Sequence, residues 1–118
     1  MQKQDKIVVE NDKVGDVLVL RVSGRVNVLS APELEKEALH FIRSGCRKMM
    51  LDFNGVSYVS SAGLRTLLFL FNEIKAQSGK LVVCSEMPGV VDIVRLCGLH
   101  HVIFIVGKPE GAMQFLGS

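Results

Sequence analysis

Apolar residues along the chain change their spacing several times, and each change indicates a different element. Short runs rich in Val, Leu and Ile are typical of strands, and apolar residues three and four positions apart are typical of amphipathic helices. The pattern predicts strands at Ile7–Glu10, Val17–Val22, Met49–Phe53, Lys80–Cys84 and His101–Val106. It predicts helices that begin at Ser30, Ala62, Pro88 and Pro109 and end near Gly45, Gln77, Cys97 and Phe115.

The order of these elements predicts an α/β fold. The first two strands flank the turn-forming segment 11–16, so we expect an antiparallel hairpin. After residue 25 strands and helices alternate, which implies right-handed crossovers and a mostly parallel sheet. No linker, repeat or low-complexity segment interrupts the sequence. We therefore expect a single domain, residues 1–118, with a mixed sheet, an N-terminal antiparallel hairpin and about four helices.

Residues near the predicted helix starts are typical of capping and turn positions. Segment 30–33 has the form of a capping box, in which the serine hydroxyl bonds a free amide and the glutamate reaches back. Ser60 or Ser61 is expected to cap the second helix. Asn54 and Gly55 are expected to form the loop that follows the third strand.

The composition supports a conventional core and argues against nucleic-acid binding. Of the 118 residues, 48% are hydrophobic, which excludes disorder as the main description. The formal net charge of +2 is too small for the basic surface of a nucleic-acid binder. The one short basic cluster, Arg43, Arg47 and Lys48, falls at a predicted helix end, where cations complement exposed carbonyl groups.

Cysteine spacing and the apolar stretches favour a cytoplasmic protein. Cys46, Cys84 and Cys97 contain no C-x-x-C pair and cannot all pair with one another, so no disulfide framework is expected. The N-terminal residues lack the apolar core of a signal peptide. The longest apolar stretches, Leu67–Phe71 and Val102–Val106, are far shorter than the about 20 residues that a bilayer span needs, so no direct membrane insertion is expected.

Three serines, at positions 57, 60 and 61, join the third strand to the second helix. A serine at a helix start has an ordinary role, since its hydroxyl accepts a hydrogen bond from a free amide, worth about 1 kcal/mol. The functional alternative is an anion site, because free amides and the helix dipole would stabilise a phosphate attached to the hydroxyl. Helix position alone does not decide between these two roles.

A longer series of residues resembles one known family. The series contains the hairpin, the capped helix and the segments Gly24-Arg25-Val26-Asn27, Leu51-Asp52-Phe53, Ser60-Ser61-Ala62-Gly63-Leu64 and Gly98-Leu99. Over about residues 5–115 it resembles the STAS domain of bacterial anti-sigma factor antagonists. In that family the strand is followed by Asp-Ser, then Ser, Ala or Thr, then Gly-Leu, and a kinase of the anti-sigma type phosphorylates the first serine. The resemblance implies that Ser61 is the phosphorylated residue.

Two positions depart from the family pattern. Ser60 stands where the family usually has Asp, and Asn27 stands at a second position where Asp is common. Losing two carboxylates lowers the repulsion toward a phosphate, but it removes groups that orient a hydroxyl during transfer. Ser61 is the expected phosphoacceptor, and Ser60 is the second choice.

The resemblance implies a regulatory protein that is not an enzyme and needs no cofactor. Its partner would be an anti-sigma factor with serine kinase activity, of the histidine-kinase-like ATPase type. That partner would be bound when Ser61 is free and released when Ser61 is phosphorylated. A phosphoserine phosphatase is a further expected partner. An alternative keeps the fold but makes the chain an accessory subunit of a lipid or anion transport assembly, in which the same helix end docks a membrane protein.

A small serine hydrolase is a third hypothesis, because Ser61, Asp92 and either His100 or His101 follow the order of an α/β-hydrolase triad. The nucleophile elbow fails, since Val59 replaces the first glycine of G-x-S-x-G. The histidines and cysteines show no metal-ligand spacing, and His100 and His101 would point to opposite faces of a strand. No phosphate-binding glycine motif is present, so no nucleotide is expected on this chain.

The second helix offers a candidate partner surface. At about 100° per residue, its core face is predicted to hold Leu64, Leu67, Leu68, Phe71 and Ile74. Its outer face is predicted to hold Ala62, Arg65, Thr66, Phe69 and Glu73. An exposed aromatic residue beside an arginine is typical of a binding hot spot. The predicted partner-binding residues are Asn27, Ser60, Ala62, Arg65 and Phe69.

Overall fold

Five strands and four α-helices form residues 6–117, the part of the chain that this computed structural model describes. The strands are β1 (Val8–Val14), β2 (Val17–Val26), β3 (Lys48–Val59), β4 (Lys80–Cys84) and β5 (Phe104–Val106). The helices are α1 (Ala31–Arg43), α2 (Ser61–Lys75), α3 (Pro88–Leu96) and α4 (Pro109–Gly117), with a short 3-10 helix at Leu99–His101. The sheet has the order β1-β2-β3-β4-β5, with β1 antiparallel to β2 and the other neighbours parallel. The predicted α/β fold with a mixed, mostly parallel sheet is confirmed.

Alternating residues of the central strands build two apolar layers on opposite faces of the sheet. The larger layer joins the strands to α1, α2 and α3, and it includes Leu20 and Leu51. The smaller layer joins the same strands to α4, and it includes Val19 and Met50. The strands are rich in apolar residues on both faces because helices cover both. None of the helices in residues 6–117 has the length and apolar character that crossing a bilayer requires.

The hairpin is confirmed, but its turn is shorter than the predicted segment 11–16. β1 pairs with β2 along its whole length, so residues 11–14 belong to the strand. Gly15 and Asp16 alone make the turn, and Gly15 takes a φ of +62°. A glycine adopts this conformation at no steric cost, which allows a two-residue turn and longer strands. β2 also continues past Val22, as far as Val26.

β3 runs through Asn54 and Gly55 to Val59, so the loop predicted there is wrong. Gly55 lies so close to β2 that an added Cβ would be 2.9 Å from the Cβ of Ser23. The pairing of the two strands shifts register between Arg21 and Ser23. Glycine therefore lets β3 pass an irregularity in the sheet instead of turning away from it. β3 thus carries the chain to the carboxyl end of the parallel strands, where α2 begins.

The chain after α3 also departs from the prediction. Gly98 has a φ of +79° and is followed by the 3-10 helix, so the last strand is limited to Phe104–Val106. The His101 amide donates to the Gly98 carbonyl oxygen at 3.1 Å, which commits this backbone group to the turn and not to a ladder. His100 and His101 do not point to opposite faces of a strand, since their ring centroids lie 4.0 Å apart.

The other predicted elements agree with the structure more closely. β4 has the predicted bounds, and each helix begins within one residue of its predicted start. These elements have clear signals at their ends: α3 and α4 each begin at a proline, whose missing amide and fixed φ suit the first turn.

Candidate functional site

β2 and β3 end side by side, and this places two predicted site residues next to each other. Val26 pairs with Val59 in the parallel register, and the Ser60 amide donates to the Val26 carbonyl oxygen at 2.8 Å. Asn27 and Ser60 are the next residues after these strand ends, so both leave the sheet at the same edge. In open α/β sheets, functional groups collect at the carboxyl ends of the strands, which makes this edge the candidate site.

The two serines at the start of α2 have different environments. Ser60 is the N-cap residue, and its Oγ accepts a hydrogen bond from the Gly63 amide at 3.3 Å. Ser61 is the first residue of the helix and is exposed, and within residues 6–117 its hydroxyl makes no hydrogen bond. In the same part of the chain, the amides of Ser61 and Ala62 have no acceptor. The Ser61 hydroxyl is therefore accessible, and free amides beside it can stabilise an anion.

Two glycines bring the helix starts into direct contact with the strand ends. A Cβ added at Gly63 would lie 2.7 Å from Val59 Cγ1 and 2.9 Å from Val26 Cγ1. A Cβ added at Gly89, in the first turn of α3, would overlap the carbonyl oxygen of Ser57 on β3. The position of the serines is therefore fixed by close contact of α2 with the valine side chains and of α3 with the backbone of β3.

Asn27 supports the turn that precedes α1. Its Oδ1 accepts hydrogen bonds from the amides of Leu29 at 3.0 Å and Ser30 at 3.2 Å, and its carbonyl oxygen accepts from the Ala31 amide at 2.8 Å. The Ser30 hydroxyl accepts from the Asn27 amide and donates to the Arg25 carbonyl oxygen. The predicted capping box is wrong, because the Ser30 hydroxyl faces the end of β2 and bonds no helix amide. The Asn27 side chain thus shapes the loop beside the start of α2.

Two grooves flank the start of α2. The groove between α1 and α2 has a volume of about 350 Å³, and its lining includes Val28, Glu35, Ala62, Arg65 and Phe69. The groove between α2 and α3 has a volume of about 580 Å³, and its lining includes Tyr58, Ser60, Ser61, Asp92 and Leu96. The predicted site residues on α2 therefore divide between two neighbouring grooves. Asn27 lines neither of them.

The buried face of α2 is rotated relative to the prediction. Leu67 is buried as predicted, but Leu68, which was expected in the core, is 38% exposed. Thr66 and Leu70 are buried, and Phe69, which was expected on the outer face, is half-buried and packs against the larger apolar layer. The predicted face assumed that α2 buries one apolar stripe against the sheet. In the structure α2 packs against α1 as well as the sheet, so its buried face is wider. Contact with α1 brings Thr66 and Phe69 into the buried face.

Exposed apolar side chains occur in both grooves and in the loop after β2, and the sequence pattern did not predict them. Val28 and Leu29, in the loop after β2, are 70% and 68% exposed, and Leu96 at the end of α3 is 82% exposed. Close by, the Arg25 guanidinium lies 4.6 Å from the centroid of the Tyr58 ring. The signal in the sequence for this exposed patch was the apolar pair Val28-Leu29 within a turn, where the core does not cover the side chains. Apolar groups beside arginine and tyrosine have the composition of a docking surface.

The hydrolase triad does not form. Asp92 lines the same groove as Ser61, but neither His100 nor His101 does. Within residues 6–117, no cluster of three or more His, Cys, Asp or Glu side chains has the arrangement of a metal site. Within residues 6–117 this groove thus contains Ser61 and the Asp92 carboxylate, but neither histidine of the predicted triad, which would serve as the base of a hydrolytic serine.

Two of the three cysteines have environments that disfavour reactivity. All three are free thiols. Burial raises the pKa of the Cys46 thiol and also the pKa of the Cys84 thiol, which disfavours the reactive thiolate at both. Cys97 is exposed and lines the α2–α3 groove, where its Sγ lies 3.5 Å from the Val94 carbonyl oxygen.

Comparison with protein families and curated relatives gives consistent matches over most of the chain. The family described as the STAS domain matches residues 8–112. BtrV of Bordetella bronchiseptica, provisionally named an anti-sigma factor antagonist, is 31% identical over 101 residues, which cover 86% of this chain and 87% of BtrV. The anti-sigma-B factor antagonist of Bacillus subtilis is 28% identical over 105 residues, which cover 89% of this chain and 91% of that protein.

Solved structures show the same fold. The crystal structure of an anti-sigma factor antagonist from Mycobacterium paratuberculosis has a TM-score of 0.90 at 21% identity and covers 97% of each chain. The structure of the Bacillus cell fate determinant SpoIIAA in its phosphorylated form has a TM-score of 0.70 at 17% identity, covering 92% of this chain and 98% of SpoIIAA. The resemblance noted in the sequence is confirmed by the family match, and this chain belongs to the STAS domain family.

Proposed function

We propose that this protein is an anti-sigma factor antagonist whose partner is released when Ser61 is phosphorylated. The partner is an anti-sigma factor with serine kinase activity, of the histidine-kinase-like ATPase type, and the two proteins meet in the cytoplasm. This chain performs no catalysis itself. Two curated relatives carry the name anti-sigma factor antagonist, and SpoIIAA, which shares the fold, has a solved phosphorylated form.

The observation that carries the proposal is the position of the Ser61 hydroxyl. It is exposed at the first residue of α2, beside the α2–α3 groove, and within residues 6–117 it has no hydrogen bond to break before reaction. The Ser60 hydroxyl is instead used as the helix cap. The Ser60 oxygen that would attack already accepts the hydrogen bond from the Gly63 amide, whereas the Ser61 oxygen accepts none within residues 6–117.

Transfer to Ser61 follows ordinary phosphoryl-transfer chemistry. The Ser61 Oγ forms a bond to the γ-phosphorus of ATP on the partner, the bond from that phosphorus to the ADP oxygen breaks, and the hydroxyl proton leaves to a base. The free amides of Ser61 and Ala62 and the helix dipole stabilise the product. Arg65 is exposed and lies four residues after Ser61, one turn along the same helix face, where it can pair with the phosphate.

The same phosphate is incompatible with docking. The exposed apolar side chains of Val28, Leu29 and Leu96 would lose water when the partner covers them, and Leu96 lines the same groove as Ser61. A phosphate carries about −1.5 to −2 charges at pH 7, and burying it without a full set of partners is costly. Asp92, in the groove that Ser61 lines, adds repulsion. A phosphoserine phosphatase would restore the binding form by removing the phosphate.

The first test is capture of the partner. Wild-type chain, Ser61→Ala and Ser61→Glu are used as baits in extracts of the source cell, and bound proteins are identified by mass spectrometry. We expect Ser61→Ala to retain a histidine-kinase-like ATPase and Ser61→Glu to lose it. Capture of a permease or a transporter ATPase in its place would overturn the proposed function in favour of a transport assembly.

The second test is phosphorylation with purified components. The captured ATPase and ATP should add a single phosphate to the wild-type chain and to Ser60→Ala, and none to Ser61→Ala, as read by phosphopeptide mapping. A phosphate that persists in Ser61→Ala and disappears in Ser60→Ala would show that Ser60 is the acceptor. Asn27→Asp tests whether a carboxylate at position 27 affects the rate of phosphoryl transfer. A faster transfer would show that the carboxylate assists the reaction.

A further inference from the structure

A second concave region lies at the opposite end of β3 from Ser61. It is a cleft of about 620 Å³ between the β1–β2 turn and the loop that joins α1 to β3. β3 has 12 residues, which at the usual rise separates its two ends by about 36 Å. The volume lies within the range of small-molecule sites, about 300–1,000 Å³. The two grooves beside α2, one of which Ser61 lines, share no lining residue with this cleft.

The inner wall of the cleft is apolar. Leu18, at the start of β2, is 5% exposed and belongs to the larger apolar layer. Phe41, in the last turns of α1, is half-buried and packs against the same layer. The two side chains present a hydrocarbon edge and an aromatic ring to the cleft, so they can cover the apolar part of a bound molecule.

The charges around the cleft are incompletely paired. Asp16 forms an ion pair with Lys48 at 3.1 Å, and the other lining carboxylate, on Asp12, pairs with an arginine outside the cleft, Arg21, at 3.6 Å. Lys13 forms no ion pair within residues 6–117.

Arg47 is the second lining cation that forms no ion pair within residues 6–117. The Arg47 Nη1 donates to Oε1 of Gln77 at 2.6 Å, and this acceptor is neutral. Lys13 and Arg47 both act on the Cys46 thiol between them: burial raises the pKa of that thiol, and the two positive charges oppose the rise. The lining thus carries three cations, on Lys13, Arg47 and Lys48, against two carboxylates, on Asp12 and Asp16. The charge of Lys13 also lowers the pKa of Asp16, but neither Lys13 nor Arg47 forms an ion pair within residues 6–117.

We propose that this cleft binds a small organic anion, with its carboxylate held by Lys13 and Arg47 and its apolar ring or chain against Leu18 and Phe41. A carboxylate matches the arginine fork and the lysine ammonium. The concave shape and the apolar wall favour a compact ligand over a nucleic acid, whose extended phosphates need a broad basic surface. The site is independent of the proposed phosphorylation switch, since it would exist whether or not Ser61 is modified.

The experiment uses 1-naphthoate as the probe and 1-naphthylmethanol as its neutral counterpart. Each is titrated into the isotope-labelled protein, and amide chemical shifts are followed by NMR. We expect saturable shifts with 1-naphthoate at residues 11–16 and 44–48, with little change at residues 60–62. Naphthylmethanol is expected to bind at least about fivefold more weakly, since it lacks the charge that Lys13 and Arg47 recognise.

Exposed-lysine variants separate the site from general charge effects. Lys13→Gln should raise the dissociation constant of 1-naphthoate about fivefold, and Lys36→Gln, an exposed lysine on α1, should leave it unchanged. Both positions lie at the surface, so neither variant is expected to affect folding. The proposal is overturned if 1-naphthoate causes no saturable shift at residues 11–16 and 44–48. Equal binding by the neutral probe, or an equal effect of the two lysine variants, would overturn it as well.

Discussion

The two ends of β3 are built on different principles. At the carboxyl end, Gly63 brings α2 against valine side chains of β2 and β3, Gly89 brings α3 against the backbone of β3, and these contacts position the serines. At the amino end, the turn residues and the α1–β3 loop surround an open cleft with long charged side chains such as Lys13 and Arg47. The carboxyl end is therefore closely packed, whereas the amino end is open and lined by charged side chains.

Because of this difference, residues that stabilise the fold are also part of the proposed binding surface near Ser61, whereas at the cleft the cations Lys13 and Arg47 lie at the surface. Around Ser61 the contacts of Gly63 and Gly89 that fix the helices also shape the proposed docking surface, so substitutions of these two glycines should change stability and partner affinity together. Around the cleft, exposed cations can be replaced at little cost in stability. Substitutions at the two ends of β3 should therefore differ in the size and kind of their effects.

The largest effect is expected from Gly89→Ala. The added methyl group would overlap the carbonyl oxygen of Ser57, and relief requires the backbone of α3 or β3 to move. Overpacking of this kind should lower the free energy of unfolding by about 3 kcal/mol, measured by urea denaturation. The matched control is Gly111→Ala on α4, where the nearest atom would be 3.7 Å away and stability should change by less than about 1 kcal/mol. Equal stabilities for the two variants would contradict the close-packed view of this end.

The next effect concerns binding. Ser61→Glu should weaken association with the anti-sigma partner about a hundredfold, or about 2.7 kcal/mol, because a charge enters an apolar interface. Its unfolding free energy should stay within about 0.5 kcal/mol of the wild type, since Ser61 is exposed and makes no hydrogen bond within residues 6–117. Titration calorimetry measures the affinity, with Ser61→Ala as the control that keeps it. Weakened binding by both variants alike would show that the hydroxyl itself, and not the added charge, decides docking.

A smaller effect distinguishes two neighbouring residues on α2. Phe69→Ala should lower the unfolding free energy by about 1.5 kcal/mol, because the half-buried ring packs against the core layer. Leu68→Ala should cost less than about 0.7 kcal/mol, since Leu68 is 38% exposed. Both variants are compared in urea and in partner affinity. The opposite order of stabilities would restore the helix phase that the apolar pattern predicted.

The smallest effect is expected at the amino end of β3. The hydrogen bond from Lys48 lowers the pKa of Asp16 below its ordinary value of 3.8, so this pair contributes stability above that pH and loses it as pH falls further. Asp16→Asn should unfold at slightly lower urea concentration than the wild type at pH 7. The difference should shrink toward zero below pH 3.8 and also in high salt, because the carboxylate is fully solvated. A difference that persists at low pH would mean that the substitution disturbs the turn itself.

Local chemistry predicted some elements well. β4 and the starts of α3 and α4 have punctuation that acts within a few residues, namely a preceding glycine or a proline at the first helical position. The serine motif could also be recognised in the sequence, because Ser60 and Ser61 stand directly before a periodic apolar run. The site's identity, however, came from resemblance to a family, since an isolated helix cap has an ordinary structural explanation.

Features that depend on distant contacts could not be predicted in this way. Asn54-Gly55 has the composition of a turn, and only the close approach of Ser23 on β2 shows why the strand continues. The rotation of α2 depends on α1, a partner that a helical wheel does not contain. Asp92 joins the Ser61 groove because α3 packs over β3, a neighbourhood that is absent from the linear order.

Tyr58 gives the proposed docking surface an optical property of its own. The sequence contains one tyrosine and no tryptophan, so the intrinsic ultraviolet fluorescence of the protein comes almost entirely from this ring. Tyr58 is 40% exposed, lines the groove of Ser61 and lies under the Arg25 guanidinium. Its emission therefore reports on that groove without a label, while the cleft at the other end of β3 is optically silent.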